Sequence, residues 1–252
     1  MIDPIEEGKK IEQIVMKDHK RRYYKIRVNR YYGLICSCYS VGCILRCCYC
    51  WNYNKNQNPS KCGSFKSPGE VSKKINELLE RHNCRFARIT GGEPVLGYRS
   101  VEHLIEIINR IEAEQFLIET NGIIPGRCPE ILDLFEDVKD RAVFRVSIKG
   151  YDHEHFERVT DRPGHWLDYT FNCIRALSRR KFAYWVVVMG EIFQEKGIQK
   201  IKSTLSSLGY QGHLEIESLG LNYPGVKERL KERGFKITKK YRDFYTSCRA
   251  EL

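Results

Sequence analysis

No segment of this 252-residue chain is long and apolar enough to cross a bilayer. The most apolar run, FAYWVVVMG, is less than half the length such a helix needs and reads as a buried strand. The opening MIDPIEEGKKIEQIV lacks the continuous apolar stretch of an export signal, so the expected location is the cytoplasm. Internal repeats and low-complexity tracts are also missing. Acidic residues are in deficit, 32 Asp and Glu against 43 Lys and Arg, which leaves a formal net charge of +11. That excess suits an acidic partner such as nucleic acid or phosphate. A Lys- and Glu-rich composition also occurs in thermophiles that bind no polyanion.

Cysteine is the exception to this scarcity. There are 11, an odd number, and six fall between Cys36 and Cys50. A secreted disulfide scaffold would be shorter and would carry an even count. Clustered thiols in a long chain without an export signal point to metal in a reducing compartment. The densest stretch is GCILRCCYCWN, residues 42–52, in which Cys43, Cys47 and Cys50 have the spacing C-x3-C-x2-C. Three thiolates on one short loop can hold three irons of a cubane cluster and leave the fourth iron open to a small molecule. Zinc is the competing occupant. A closed zinc site needs four ligands, commonly two Cys or Cys/His pairs. Here no second C-x2-C follows, and Cys36 and Cys38 are one residue apart.

Strands and helices alternate after residue 32. GLICSC, RFARIT, QFLIETNG, AVFRVSIKG, FAYWVVVMG and HLEIESLG read as strands. SPGEVSKKINELLERH reads as a helix with Ser67 as N-cap and Glu70 three residues later. SVEHLIEIINRIEA, PEILDLFEDVK, HWLDYTFNCIRALSRRK, EKGIQKIKSTLSSLG and PGVKERLKERG are the other expected helices. Six βα units call for an α/β fold with a parallel sheet, and they fall short of the eight of a closed barrel. A doubly wound sheet and a partial barrel both remain open on pattern alone. The thiol loop, GGEP, ETNG, SIKG and SLGLNY all follow strands, on the edge where either architecture builds its sites. The expected organisation is a short basic and aromatic N-terminal extension over 1–32, a core over 33–220, and a C-terminal helix and tail over 221–252. Within the extension, KDHKRRYYKIRVNRYY either grips RNA through phosphates and stacked bases or forms an edge strand or hairpin.

GCILRCCYCWN followed by GGEP closely resembles the radical S-adenosylmethionine (SAM) superfamily. Gly42-Cys43, Arg46-Cys47, Tyr49-Cys50 and Asn52 look most like the glycyl-radical-enzyme activases. ETNG and SIKG resemble strand ends in those activases and in the 7-carboxy-7-deazaguanine synthases. The resemblance spans roughly residues 33–220 and implies a partial (βα)6 TIM-type barrel. It also implies a [4Fe-4S] cluster on Cys43, Cys47 and Cys50, with SAM chelating the open iron. A reducing electron donor would then drive cleavage to methionine and a 5′-deoxyadenosyl radical, which abstracts hydrogen from a substrate.

The same resemblance assigns further roles. Gly91, Gly92, Glu93 and Pro94 hold the SAM amino group, and Tyr49 lies against the adenine. Thr120 and Asn121 face SAM polar groups. Ser147 and Lys149 stand where activases have Asp-x-Lys; Lys149 offers a cation, and Ser147 cannot supply the negative charge. His153 and His155 resemble a histidine-bearing loop, with plain exposed histidines as the alternative. Cys36, Cys38, Cys48 and Cys62 either bind a second cluster or are reduced, buried thiols. Cys84, Cys128, Cys173 and Cys248 are expected to be structural. The substrate stays open. The cluster string favours a protein glycyl residue, whereas the charge and the basic, aromatic N-terminus favour RNA or a nucleobase precursor. Absence of a QGEG-like element argues against a purine-precursor synthase. A non-catalytic metal-bearing binding module is the remaining reading.

Overall fold

The computed structural model describes residues 3–237, so Cys248 and residues 238–252 of the expected tail lie outside the described residues. One mixed sheet organises the chain. Its strands are β1 (Met16–Lys17), β2 (Lys20–Asn29), β3 (Ile35–Ser40), β4 (Ser64–Lys66), β5 (Phe86–Thr90), β6 (Gln115–Thr120), β7 (Ala142–Ser147), β8 (Ala183–Met189) and β9 (Leu214–Glu217). They lie in the order β1-β2-β3-β5-β6-β7-β8-β9, with β4 added to β2. From β3 onward every neighbour along this path is parallel, and β2 joins β3 antiparallel. Six parallel strands in sequence order form a partial (βα)6 TIM-type barrel.

The two faces of the sheet show why it curls rather than lying flat between two helical layers. RFARIT alternates: Ala87 and Ile89 are buried in the main core, whereas Phe86, Arg88 and Thr90 point the other way. On β7, Phe144 and Val146 are in that core while Arg145 is on the opposite face. Repeated along the sheet, the pattern is one apolar face for helices and one charged face that no helix layer could cover cheaply. A doubly wound sheet needs both faces apolar. A small second cluster of Ile35, Leu117 and Val143, flanked by Trp185 and Phe86, closes the charged face at the N-terminal strand ends.

The helices are α1 (Pro4–Val15), α2 (Tyr53–Gln57), α3 (Pro68–His82), α4 (Tyr98–Arg110), α5 (Ile123–Arg127), α6 (His153–Thr160), α7 (Trp166–Arg179), α8 (Gly190–Ser207) and α9 (Val226–Glu232). α3 starts as its sequence requires: Ser67 Oγ accepts from Glu70 N at 3.2 Å, and the Glu70 carboxylate accepts from Ser67 N at 2.8 Å. Three expectations need correction. PEILDLFEDVK forms 3-10 turns over Pro129–Val138 rather than an α-helix. α8 begins at Gly190, ahead of the expected EKGIQ start, and breaks at Gln194, whose φ of 53° ends the regular hydrogen-bond ladder. The supposed histidine loop is the helix α6, capped by Asp152, whose Oδ1 accepts from His155 N at 2.8 Å.

The N-terminal segment is woven into this frame. α1 is capped by Asp3, and β2 carries the basic and aromatic stretch as a strand. Arg21 is fully buried and donates to the carbonyls of Pro94 and Glu93, each at 2.6 Å. Next to it, His103 is buried with both ring nitrogens used: Nδ1 meets the His19 carbonyl at 2.8 Å and Nε2 meets Tyr23 Oη at 3.0 Å. A carbonyl only accepts, so Nδ1 carries the proton and Nε2 accepts from the tyrosine. Burial holds the His103 pKa down at about 4, below its ordinary 6.5. A depressed folded pKa means that its stabilising contribution is complete above the unfolded value and is lost as pH falls through the folded one. Unfolding free energy is therefore expected to decline from pH 6.5 to 4. His103→Gln should flatten that slope by up to one proton, about 1.4 kcal/mol per pH unit, in denaturant titrations across the range.

Candidate active site

The thiol loop leaves the C-terminal end of β3 and is held almost entirely through backbone. Arg46 N and Cys48 N donate to the carbonyls of Thr160 and Val159 at the end of α6, at 3.0 and 2.9 Å. Arg162 Nε donates to Ile44 O at 2.6 Å. From α9, Arg229 donates to Cys48 O at 3.1 Å and to Cys50 O at 2.9 Å. Side-chain amides complete the frame. Asn56 Oδ1 accepts from Gly42 N at 3.1 Å, and its Nδ2 donates to Gly91 O at 2.8 Å. Asn52 donates to Asn56 and accepts from Tyr24 Oη.

Gly91 and Gly92 are required by this packing. Gly91 has a φ of +93°, and a Cβ there would sit 2.8 Å from Ser40 O. A Cβ on Gly92 would sit 2.6 Å from Gly42 O. Glu93 N then donates to Gly42 O at 2.7 Å, which locks the GGEP turn onto the thiol loop. The Glu93 side chain turns inward and is buried. Its carboxylate accepts from Thr120 Oγ1 at 2.6 Å, Asn121 N at 2.8 Å and Val95 N at 3.1 Å. Burial pushes its pKa up to about 7 against the pull of these three donors. The side-chain oxygens of Glu93 and Thr120 are therefore engaged, Thr120 Oγ1 also accepting from Gly122 N at 3.0 Å, and Asn121 Oδ1 accepts from Ile123 N at 2.9 Å.

Donors surround the sulfurs. Leu45 N lies 3.4 Å from Cys43 Sγ, Asn121 Nδ2 4.0 Å from the same atom, and Asn56 Nδ2 3.8 Å from Cys50 Sγ. Burial pushes the Cys47 thiol up to about 12, and Lys149 pulls against it. Lys149 Nζ sits 5.2 Å above the ring of the buried Tyr49 and donates to Ser147 Oγ at 2.5 Å. Cys43, Cys47, Tyr49, Cys50, Gly91, Gly92, Glu93, Pro94, Thr120, Asn121, Ser147 and Lys149 thus occupy one mouth of the barrel.

Other expected candidates stay apart. Cys36 and Cys38 pair in register with Ala87 and Ile89 and sit in the helix-facing core as unpaired thiols. Burial pushes Cys36 up to about 12, with Cys84 adding to it. Cys36 and Cys38 lie on the helix-facing side of β3, away from the thiol mouth, and among the described residues no group of three His, Cys, Asp or Glu that could hold one metal ion is found. His153 is exposed and meets Asp168 at 2.9 Å. His155 is not exposed as the plain reading expected: it is buried, stacks on Tyr151 at 4.0 Å and meets Ile192 O at 3.2 Å. Residues missing from the sequence reading include Asn56, Arg162 and Arg229, which carry no local motif. A second group, Arg88, Glu119, Arg145, Glu215 and Glu217, did leave a signal. Each is a charged residue at an inward position of a strand.

Three thiols on one short loop, with N–H donors at two of the sulfurs, fit three corners of an iron-sulfur cube. Such a loop at the C-terminal mouth of an incomplete parallel barrel defines a cluster-bearing barrel enzyme. The superfamily model for radical SAM proteins matches residues 37–208, more than half of the chain, and the protein belongs to the radical SAM superfamily. Its members use a [4Fe-4S] cluster and SAM.

Two curated relatives are each 28% identical. One is a GTP 3′,8-cyclase from Rhodopirellula baltica, aligned over 71% of this chain and 43% of its own length. The other is a 7-carboxy-7-deazaguanine synthase from Methanothermobacter thermautotrophicus, aligned over 56% of this chain and 54% of its own. The chain therefore spans about half the length of these relatives. Native anSMEcpe with bound AdoMet superposes with a TM-score of 0.51 at 15% identity, covering 72% of this chain and 53% of that one. TYW1 with a lysine-pyruvate adduct bound gives 0.51 at 14%, covering 79% and 72%. These two likenesses speak for the fold alone. Among the described residues no helix is long and apolar enough to cross a membrane.

The glycine packing is testable by unfolding. Gly92→Ala forces a methyl into the Gly42 backbone and should cost more than about 2 kcal/mol. Gly69→Ala, with nothing within 4 Å of the new Cβ, should stay within about 1 kcal/mol of the parent.

Proposed function

We propose that this protein cleaves SAM reductively at a [4Fe-4S] cluster held by Cys43, Cys47 and Cys50 and abstracts hydrogen from a substrate lodged in the barrel. The observation that carries this reading is the lock between the thiol loop and the GGEP turn, the 2.7 Å bond from Glu93 N to Gly42 O. It sets three thiols beside the GGEP turn, which Gly91 and Gly92 let press directly onto the backbone of Ser40 and Gly42. When bound, the cluster and SAM supply one-electron C–S cleavage and, from it, hydrogen abstraction.

The chain's own residues do the holding. Leu45 N, Asn56 and Asn121 hydrogen-bond sulfur, which favours the thiolate and tunes the reduction potential. Lys149 adds a positive charge beside Cys47 and Cys50. Tyr49, fixed beneath Lys149, is the flat surface for the adenine. The turn of Gly91, Gly92, Glu93 and Pro94 receives the SAM amino group. Glu93 keeps Thr120 and Asn121 at the same mouth, where the resemblance assigns them to SAM polar groups. Two substrate readings follow. The cluster string favours a protein glycyl residue, as in an activase. The names of the curated relatives and the +11 charge favour a nucleotide-derived substrate, free or within RNA.

Anaerobically reconstituted protein given dithionite and SAM is expected to release methionine and 5′-deoxyadenosine in equal amounts. Cys43→Ala should lower both at least about 100-fold. Full iron and sulfide loading with neither product would overturn the reading. An activase would add a glycyl radical signal when mixed with its partner protein.

A further inference from the structure

We propose that the charged inner face of the barrel and the aromatic rim above it form a binding site for a guanine-type nucleotide. This rests on the radical SAM reading above and names the class of molecule presented to the cluster. The inner face carries two linked ion-pair groups. Arg88 Nη1 meets Glu119 Oε1 at 2.7 Å and Arg88 Nε meets Ser37 Oγ at 2.7 Å. Arg145 grips Glu215 in a two-pronged pair and reaches Glu217 Oε2 at 3.1 Å. In the next strand Trp185 Nε1 donates to Glu215 at 2.7 Å. Five charges inside strands are a poor way to stabilise a fold, because apolar residues of similar size do as well or better. They make sense as the wall of a polar cavity. The apolar cluster of Ile35, Leu117 and Val143 lies on the same face at the N-terminal strand ends, so the charged groups are set toward the thiol end of the barrel.

Not all of this charge is consumed internally. Glu217 is 40% exposed and its Oε1 makes no hydrogen bond to a described residue. Arg88 Nη2 likewise has no described hydrogen-bond partner, and Tyr31 covers its guanidinium at 4.8 Å. Glu217, Arg88 and Tyr223 all act electrostatically on Tyr31, whose pKa burial, the largest cause, raises. A carboxylate with one oxygen unspent and a guanidinium with one nitrogen unspent, both on the inner face, offer the groups that a guanine edge needs. The N1 and N2 hydrogens donate to the carboxylate, and O6 and N7 accept from the guanidinium.

The rim supplies the rest. Trp51 from the thiol loop packs 5.8 Å from Tyr39 and 5.9 Å from Tyr223. Tyr31, Trp51 and Tyr223 are 54, 38 and 43% exposed, aromatic surface of the kind on which a base can stack. Register sets Arg27 opposite Ser37 and Lys25 opposite Tyr39, which extends the inner face across β2 to the edge of the sheet. Arg27 lies 5.5 Å over the Tyr39 ring, and neither cation has a carboxylate partner among the described residues. Arg27 bonds the Tyr39 hydroxyl, and two cations without a carboxylate beside an aromatic rim suit a phosphate. The same chemistry is offered by a free nucleotide and by a guanosine within a single RNA strand.

The test is binding, read without turnover. Reconstituted protein is titrated anaerobically by calorimetry with GMP, AMP, guanosine, ribose 5-phosphate and a short single-stranded RNA containing one guanosine. Expected is saturable GMP binding, at least about 10-fold tighter than AMP. Glu217→Gln should weaken GMP about 10-fold and leave ribose 5-phosphate unchanged. Arg27→Gln should weaken GMP, shallow its salt dependence and leave guanosine unchanged. RNA binding tighter than GMP assigns the site to a strand, and the reverse assigns it to the free nucleotide; both outcomes support the proposal. No binding of any of the five, equal affinity for AMP and GMP, or Glu217→Gln and Arg27→Gln variants that melt and bind like the parent would overturn it. A protein that releases methionine and 5′-deoxyadenosine but binds no nucleotide sinks this inference alone. One that binds GMP but cleaves no SAM sinks only the reaction.

Discussion

One buried residue, Glu93, ties three strand ends into a single site. Its N–H reaches the thiol loop after β3, its carboxylate gathers the end of β6, and its carbonyl accepts from Arg21 on β2. Because a carboxylate out of water is costly unless its oxygens are satisfied, the three donors and the nearby guanidinium are what make the position tenable. The glycines before it follow from the same constraint. A carboxylate can be delivered there only if the turn presses against Ser40 and Gly42 with no side chains between.

The thiol loop shows a complementary economy. A loop that must present sulfur to a cofactor cannot also spend its side chains on holding itself in place. Its backbone is therefore held from outside, by carbonyls at the end of α6 and by Arg162 and Arg229. Asn52 and Asn56 then stitch it to the GGEP turn. The cluster ligands are local in sequence, and their support is drawn from across the chain.

The same division separates the two faces of the sheet. Helices bury Ala87, Ile89, Phe144 and Val146, and stability comes from there. Arg88, Glu119, Arg145 and Glu215 line the other face, where charge is tolerated because each is paired with another. β2 continues that face outward with Lys25 and Arg27, so the basic N-terminal strand is part of the barrel wall.

Much of this was readable before any coordinates. The capping box of α3, the alternation of strands and helices, and the C-x3-C-x2-C loop ahead of GGEP are local patterns, because propensity, periodicity and ligand spacing are properties of neighbouring residues. PEILDLFEDVK and α6 were misread for the same reason: a short stretch takes 3-10 turns or a capped helix according to what packs on it. The pattern of elements left open whether the sheet curls; the family resemblance implied a partial barrel, and the tertiary structure shows it. Tertiary structure alone decided that Glu93 turns inward, that Cys36 and Cys38 face the helices, and that Arg229 clasps a loop some 180 residues away. Each of these depends on which strand neighbours which, and that is set by burial and pairing over the whole sheet rather than by any segment of the chain.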